Sequence, residues 1–187
     1  MDNLEQRQML VSILKMAYSG ERAAALAYAG HWRSVSDPQE KTDIAKIEND
    51  EWEHRAIVGE MLEKLGEKPS KFRELLMGSV GCIVYLACFI SGWFFPMYFA
   101  GRLEHSNVHE YIEAANHAEA LGLHEWADEL MQLSDVELQH EEFFKQIIVG
   151  HWLTPMMKAV FNWGPEPAVI EAAVVTQAAA FKSSSLK

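Results

Sequence analysis

Apolar residues recur along this chain at alternating steps of three and four, the mark of helices that turn one stripe toward a core. Over residues 4 to about 34 the stripe runs Leu10, Leu14, Ala17, Glu21, Ala24, Tyr28. A second helix carries Ile44, Ile47, Glu51, His54, Val58, Met61, Leu65. A third, from about Gly92 to Leu121, carries Met97, Ala100, Glu104, then Asn107 or Val108, Tyr111, Ala115 and Ala118. A fourth, roughly 124–149, carries Trp126, Leu130, Leu133, Glu137, His140, Phe144, Ile147. The pattern predicts an all-α, four-helix bundle. Every stripe is interrupted by a carboxylate, and two of them also by an imidazole three residues further on.

The punctuation agrees with this division. Asp37 can cap the second helix, Pro38 suits its first position, and Glu40 is placed to complete a capping box. Gly66 is expected at C′ after Leu65, and Pro69 forbids continuation. The run from Leu75 to Gly101 carries no charge. It is long enough for a membrane span, but Gly78, Ser79, Gly81, Ser91, Gly92, Pro96 and Gly101 break it up. A bundle of two helix pairs also needs a long crossover between its second and third helices, and this run sits there. Three readings stand: a crossover touching a membrane surface, buried core, or a true span. An irregularity is expected near Pro96. Beyond residue 150, Pro155, Gly164, Pro165 and Pro167 punctuate two short apolar segments, around 153–163 and 168–181, and Ser183 to Lys187 reads as a frayed end. The expected organisation is a bundle domain over 1–150 with a C-terminal helical extension over 151–187.

The interruptions are where chemistry enters. Glu51-Trp52-Glu53-His54 and Glu137-Leu138-Gln139-His140 are both Glu-x-x-His, which puts carboxylate and imidazole on one helix face. The halves of the chain repeat: Glu21 precedes Tyr28 by two turns as Glu104 precedes Tyr111, and each pair is followed by a Glu-x-x-His helix. One such motif is ordinary. Two, in phase with core stripes and joined by two further core carboxylates, put charge where Leu belongs, and buried charge must be paired or bound to metal. Glu, Glu-x-x-His, Glu, Glu-x-x-His is the ligand set of the ferritin-like di-iron carboxylate proteins. Two divalent cations would neutralise four carboxylates, and oxygen-rich ligands suit iron or manganese better than structural zinc. Glu110 and Glu113 share the third helix with Glu104, but the Tyr offset selects Glu104. His31, His105, His109, His117, His124 and His151 read as solvated or core histidines. Tyr28 and Tyr111 read as packing residues, with redox activity as the alternative.

Composition narrows the partners. Lys and Arg total 16 against 27 Asp and Glu, a net charge of −11, so no basic face is available for nucleic acid. Cys82 and Cys88 lie in the apolar run without metal-ligand spacing, and both are expected to be buried thiols. Met1 to Glu5 is neither a signal peptide nor an Arg-rich transit peptide, so a cytoplasmic protein is expected, with peripheral contact at the inner membrane face left open by the uncharged run.

Over about residues 10–150 the chain resembles the demethoxyubiquinone hydroxylase family. The resemblance rests on Glu21, Glu51-x-x-His54, Glu104 with Tyr111, Glu137-x-x-His140, and Gly66-Glu67-Lys68-Pro69-Ser70 leading into the uncharged run. It departs in Val108-His109-Glu110-Tyr111-Ile112-Glu113, in the aromatic Trp93-Phe94-Phe95, and in the tail beyond 150. The resemblance implies that Glu51 and Glu137 bridge two irons, with Glu21 and His54 completing one and Glu104 and His140 the other. It implies O2 as co-substrate, an oxygen-inserting oxidoreductase or monooxygenase, and a quinone-like or other apolar lipidic substrate met at a membrane. The chain lacks a G-x-G-x-x-G fingerprint, so electrons are expected from a donor protein or reductant. A homo-oligomer is the open expectation for assembly. The competing reading is a ferritin- or rubrerythrin-like iron-handling protein, a ferroxidase or peroxide scavenger without an organic substrate.

Overall fold

The computed structural model describes residues 2–165. Six helices follow in order: α1 Asn3–Ser34, α2 Pro38–Lys64, α3 Lys71–Ala87, α4 Phe94–Ala120, α5 His124–Ile148 and α6 Thr154–Phe161. No strand occurs among the described residues. The four expected stripes lie on α1, α2, α4 and α5. These form a ferritin-like bundle in which α1 packs along α2 and α4 along α5. The short apolar segment expected around 168–181 falls outside the described residues.

Local chemistry explains the boundaries. Asp37 accepts from the backbone N–H groups of Gln39 and Glu40, with Pro38 leading α2. The capping box expected there is incomplete, because Glu40 turns away and accepts instead from the Trp93 indole at 2.9 Å. Gly66 takes a φ of +72°. Glu67 N–H then bonds the Leu62 carbonyl at 2.9 Å, closing α2 in a Schellman motif. Pro96 produces no irregularity. It occupies the first turn of α4, where the backbone N–H has no intrahelical partner to lose.

Two apolar cores fill the ends of the bundle. One holds Leu10, Leu14, Met61, Leu62, Tyr111, Leu130 and Leu133. The other holds Ile44, Ile47, Phe94, Met97, Tyr98, Phe144 and Ile148, and takes in Met157 and Trp163 from the C-terminal segment. Glu21, Glu51, His54, Glu104, Glu137 and His140 belong to neither core, yet all are buried.

The uncharged run folds as α3, a turn through Gly92, and the start of α4. Helix α3 lies on α1 at very close range. A Cβ added at Gly81 would sit 2.7 Å from the Ala23 carbonyl oxygen, and one at Gly30 would sit 2.5 Å from that of Tyr85. Gly78 and Gly81 therefore serve this contact and do not break the helix, whereas Gly92 does mark the turn out of α3. The opposite face of α3 is bare: Phe72, Leu75, Ile83 and Leu86 are all exposed, as is Ile90 in the turn that follows, at 87%. The buried-core reading holds for Phe94, Met97 and Tyr98 but is overturned for the outer face of α3, and the expected burial of Cys82 is overturned with it. Cys88 is buried, but Cys82 is exposed on the uncovered side. No helix among the described residues is long and apolar enough to cross a membrane, which removes the span.

Candidate metal centre

The six residues expected to bind metal come from four helices and meet in one layer. Glu21 lies on α1, Glu51 and His54 on α2, Glu104 on α4, and Glu137 and His140 on α5. They form two overlapping groups: Glu21, Glu51, His54 and Glu137, and Glu51, Glu104, Glu137 and His140. Within each group the potential ligand atoms lie within 4.8 Å of one another. Glu51 and Glu137 belong to both.

The layer is poorly satisfied as a hydrogen-bonded core. Glu21 Oε2, both Glu51 oxygens, Glu137 Oε2 and His140 Nδ1 are buried without a hydrogen-bond partner. An unpartnered buried polar atom costs about 1–3 kcal/mol, so five in one layer are not a resting arrangement. The His140 Nδ1 lies 3.6 Å from both Glu51 Oε1 and Glu137 Oε2, beyond hydrogen-bond reach. Among the six residues, only His54 Nδ1 closes on a carboxylate of the layer, Glu137 Oε1, at 2.9 Å. The donors fit the chemistry of two divalent cations: oxygen-rich, one imidazole in each group, and two carboxylates shared.

Electrostatics point the same way. Burial, then the charge of Glu137, pushes the Glu51 and Glu104 carboxyls well above their ordinary range. Burial also raises Glu21. Burial opposes ionisation of Glu137 too, but the nearby His140 ring and the hydrogen bond from His54 outweigh it and hold that carboxyl at about 2. Without cations, most of the layer would take up protons rather than carry four negative charges.

Neighbours hold the ligands in place. The Tyr28 hydroxyl donates to Glu104 and the Tyr111 hydroxyl donates to Glu21, so α1 and α4 are cross-tied twice by the residues of the sequence repeat. Asn107 adds a bond to Glu104 Oε2 at 3.0 Å. The tyrosines thus do more than pack. Sequence reasoning missed Asp50. Its Oδ2 lies 3.1 Å from His140 Nε2, placing the ring proton there and turning Nδ1 toward Glu51 and Glu137. Asp50→Ala is therefore expected to weaken cation binding about ten- to hundredfold with the helices intact, as read by metal titration alongside circular dichroism. The rivals on the third helix lie elsewhere. Glu113 is exposed, and Glu110 is half-buried at the edge of a neighbouring cavity, its carboxyl pushed up to about 7 by burial and the nearby Glu21.

That cavity, of about 650 Å³, lies between α1, α3 and α4. Its inner end is Glu21, Tyr28 and Tyr111. Its outer wall includes Met77, Val80 and Val84 of α3 and Phe95, Phe99 and Leu103 of α4. His31 also lines it, buried and kept neutral, since burial lowers its pKa to about 4.

Residues 8–92 match the family model of the ubiquinone biosynthesis protein COQ7. The resemblance to demethoxyubiquinone hydroxylases noted in the sequence holds over that span. It takes in α1, α2 and α3, with Glu21, Glu51 and His54, and ends just before α4. Glu104, Glu137 and His140 lie outside the match, and geometry alone brings them to the same layer. No curated protein and no solved structure matches the chain.

Proposed function

We propose that this chain is a di-iron, O2-activating oxidoreductase that hydroxylates a quinone-like or other apolar lipidic substrate, entering from a membrane surface. The observation that carries the reading is the cavity. It reaches from the exposed apolar residues Val80 and Val84 of α3 and Phe99 and Leu103 of α4 to Glu21, inside the metal-binding layer, and its volume suits a small-molecule site. The COQ7 match over the first half of the chain supports the same chemistry.

Glu21, Glu51, His54, Glu104, Glu137 and His140 would hold the two irons. Two irons so held would activate O2 for insertion of one oxygen atom, with two electrons from an outside donor protein or reductant. The chain's own residues do the rest. Tyr111 and Tyr28 fix the carboxylates of Glu21 and Glu104 through their hydroxyls. The apolar walls of α3 and α4 keep bulk water from the reacting layer and accept a hydrophobic ring or chain. Glu110, poised at about 7, is the cavity group able to take or release a proton near neutral pH. His31 stays neutral and offers hydrogen bonding without charge.

Phe72, Leu75, Ile83, Leu86 and Ile90 suit insertion into the interfacial region, each contributing about 1.5–3 kcal/mol if fully buried. Phe94, from the aromatic run, cannot contribute, because it is core. Flotation with lipid vesicles is expected to carry the protein, and Ile83→Ser with Ile90→Ser to weaken flotation without loss of the metal site. A quinone analogue is expected to perturb the spectrum of the iron-loaded protein. A chain that stays in the soluble fraction, with a spectrum indifferent to the analogue, would sink the lipid-substrate reading and leave iron handling as the better one.

A further inference from the structure

Beside the metal-binding layer lies a second buried polar group that the proposed chemistry does not use. Glu141, adjacent to His140 on α5, has only 2% of its side chain exposed. Its Oε1 accepts from the Trp163 indole N–H at 2.9 Å and pairs with Lys145 Nζ at 2.8 Å and His105 Nδ1 at 3.0 Å. His105 is adjacent to Glu104 on α4. Glu141 therefore ties α4 to α5 at the residues next to Glu104 and His140, the two ligands that belong only to the second group.

Trp163 comes from the segment after α6 and is itself 4% exposed. Its ring fills a notch over Gly101: a Cβ there would lie 2.4 Å from the ring's Cη2 and 2.7 Å from the Phe144 Cβ. Gly101 is one turn before Glu104, and Phe144 one turn after His140. The Tyr98 hydroxyl holds the strap by donating to the Trp163 carbonyl at 2.6 Å. Only glycine at 101 lets the indole reach down to a buried carboxylate between the two helices.

We propose that Trp163, acting through Glu141, is a positioning residue for the Glu104 and His140 half of the metal centre. The inference rests on the two-cation reading of the layer. The strap fixes the spacing of α4 and α5 at that half, while α1 and α2 carry Glu21 and His54 without it. Loss of the indole contact should thus separate the two cation-binding steps, whereas general loosening of the bundle would weaken both together.

The test is an anaerobic Co(II) titration of the full chain, followed by visible absorption. The unaltered chain is expected to take up Co(II) in two steps. Trp163→Phe keeps a ring in the notch and removes only the N–H donor. It is expected to weaken one step about tenfold, the low end of the range for outer partners that touch a ligand directly, and leave the other within about twofold. Trp163→Ala should do the same more strongly, and Trp163→Phe should have no further effect in a Glu141→Ala background. If Trp163→Phe leaves both steps unchanged, or weakens both equally, the positioning role is overturned. If the unaltered chain takes up no Co(II), the two-cation reading itself fails, whatever the variants do.

Discussion

Glu137→Ala is expected to lose both metal ions, from about two per chain to near zero, while keeping its fold. Glu137 belongs to both ligand groups, so its removal opens both halves of the centre at once. A bridging carboxylate also screens the two cations from each other, and without it the second ion meets the charge of the first unshielded. The effect on the metal-free chain runs the other way. Glu137 is a source of the charge that pushes Glu51 and Glu104 upward. Its loss relieves that repulsion but leaves His54 without its 2.9 Å partner and opens a small void. These changes oppose one another, so the metal-free melting temperature should move little. The metal-dependent rise in melting temperature should vanish, because binding no longer favours the folded state. Glu110→Ala and Glu113→Ala, on the same helix as Glu104 but outside the layer, should still load both ions. Iron lost from Glu113→Ala and kept by Glu104→Ala would show that a different carboxylate on α4 is the ligand.

Metal binding should stabilise the protein more as pH rises. A carboxyl whose folded-state pKa is raised binds its proton more tightly in the folded chain than in the unfolded one. Its contribution is complete below the unfolded value of 4.5 and is lost as pH climbs toward the folded value. Glu110 sets a window from 4.5 to about 7. Glu51 and Glu104, raised further by burial and by Glu137, extend the loss in the same direction. Glu137, held at about 2, acts oppositely, and its contribution falls away only below 4.5. His31, lowered to about 4, also acts oppositely, but its gain is complete by 6.5, so the metal-free protein should melt at lower temperature as pH rises from 6.5 toward 8. Cations replace the protons of Glu51 and Glu104 but not that of Glu110, so the loaded protein should escape the part of the decline that the layer causes. Melting curves of Co(II)-loaded and metal-free chain across that range should diverge with increasing pH. A constant or narrowing gap would contradict a layer whose carboxylates are held together by cations.

The parts of this centre visible in the sequence are those that obey helical period. Glu21, Glu51, His54, Glu104, Glu137 and His140 each fall where a stripe demands an apolar residue, and each is buried on the bundle axis. Asp50 gave no such signal, because it stands about a third of a turn from Glu51 and acquires meaning only when α5 brings His140 against it. Glu141 looked like one more acid in a charged stretch until α4 and the strap closed over it. Hydropathy likewise showed that the run after Leu75 is apolar without showing which side is covered. Phe94 is core and Ile90 is bare, although both lie in that run. That difference is set by partners distant in the chain, α1 against α3 at Gly30 and Gly81 and His151 stacked 4.2 Å from Phe94, and not by the composition of the run.

The central claim is that these six residues form one site for two cations. Metal analysis of the well-folded chain after anaerobic Fe(II) loading and removal of loosely held iron tests it most directly. About two irons per chain are expected from the paired Glu and Glu-x-x-His set. A stoichiometry near zero in protein whose helices are intact would contradict it.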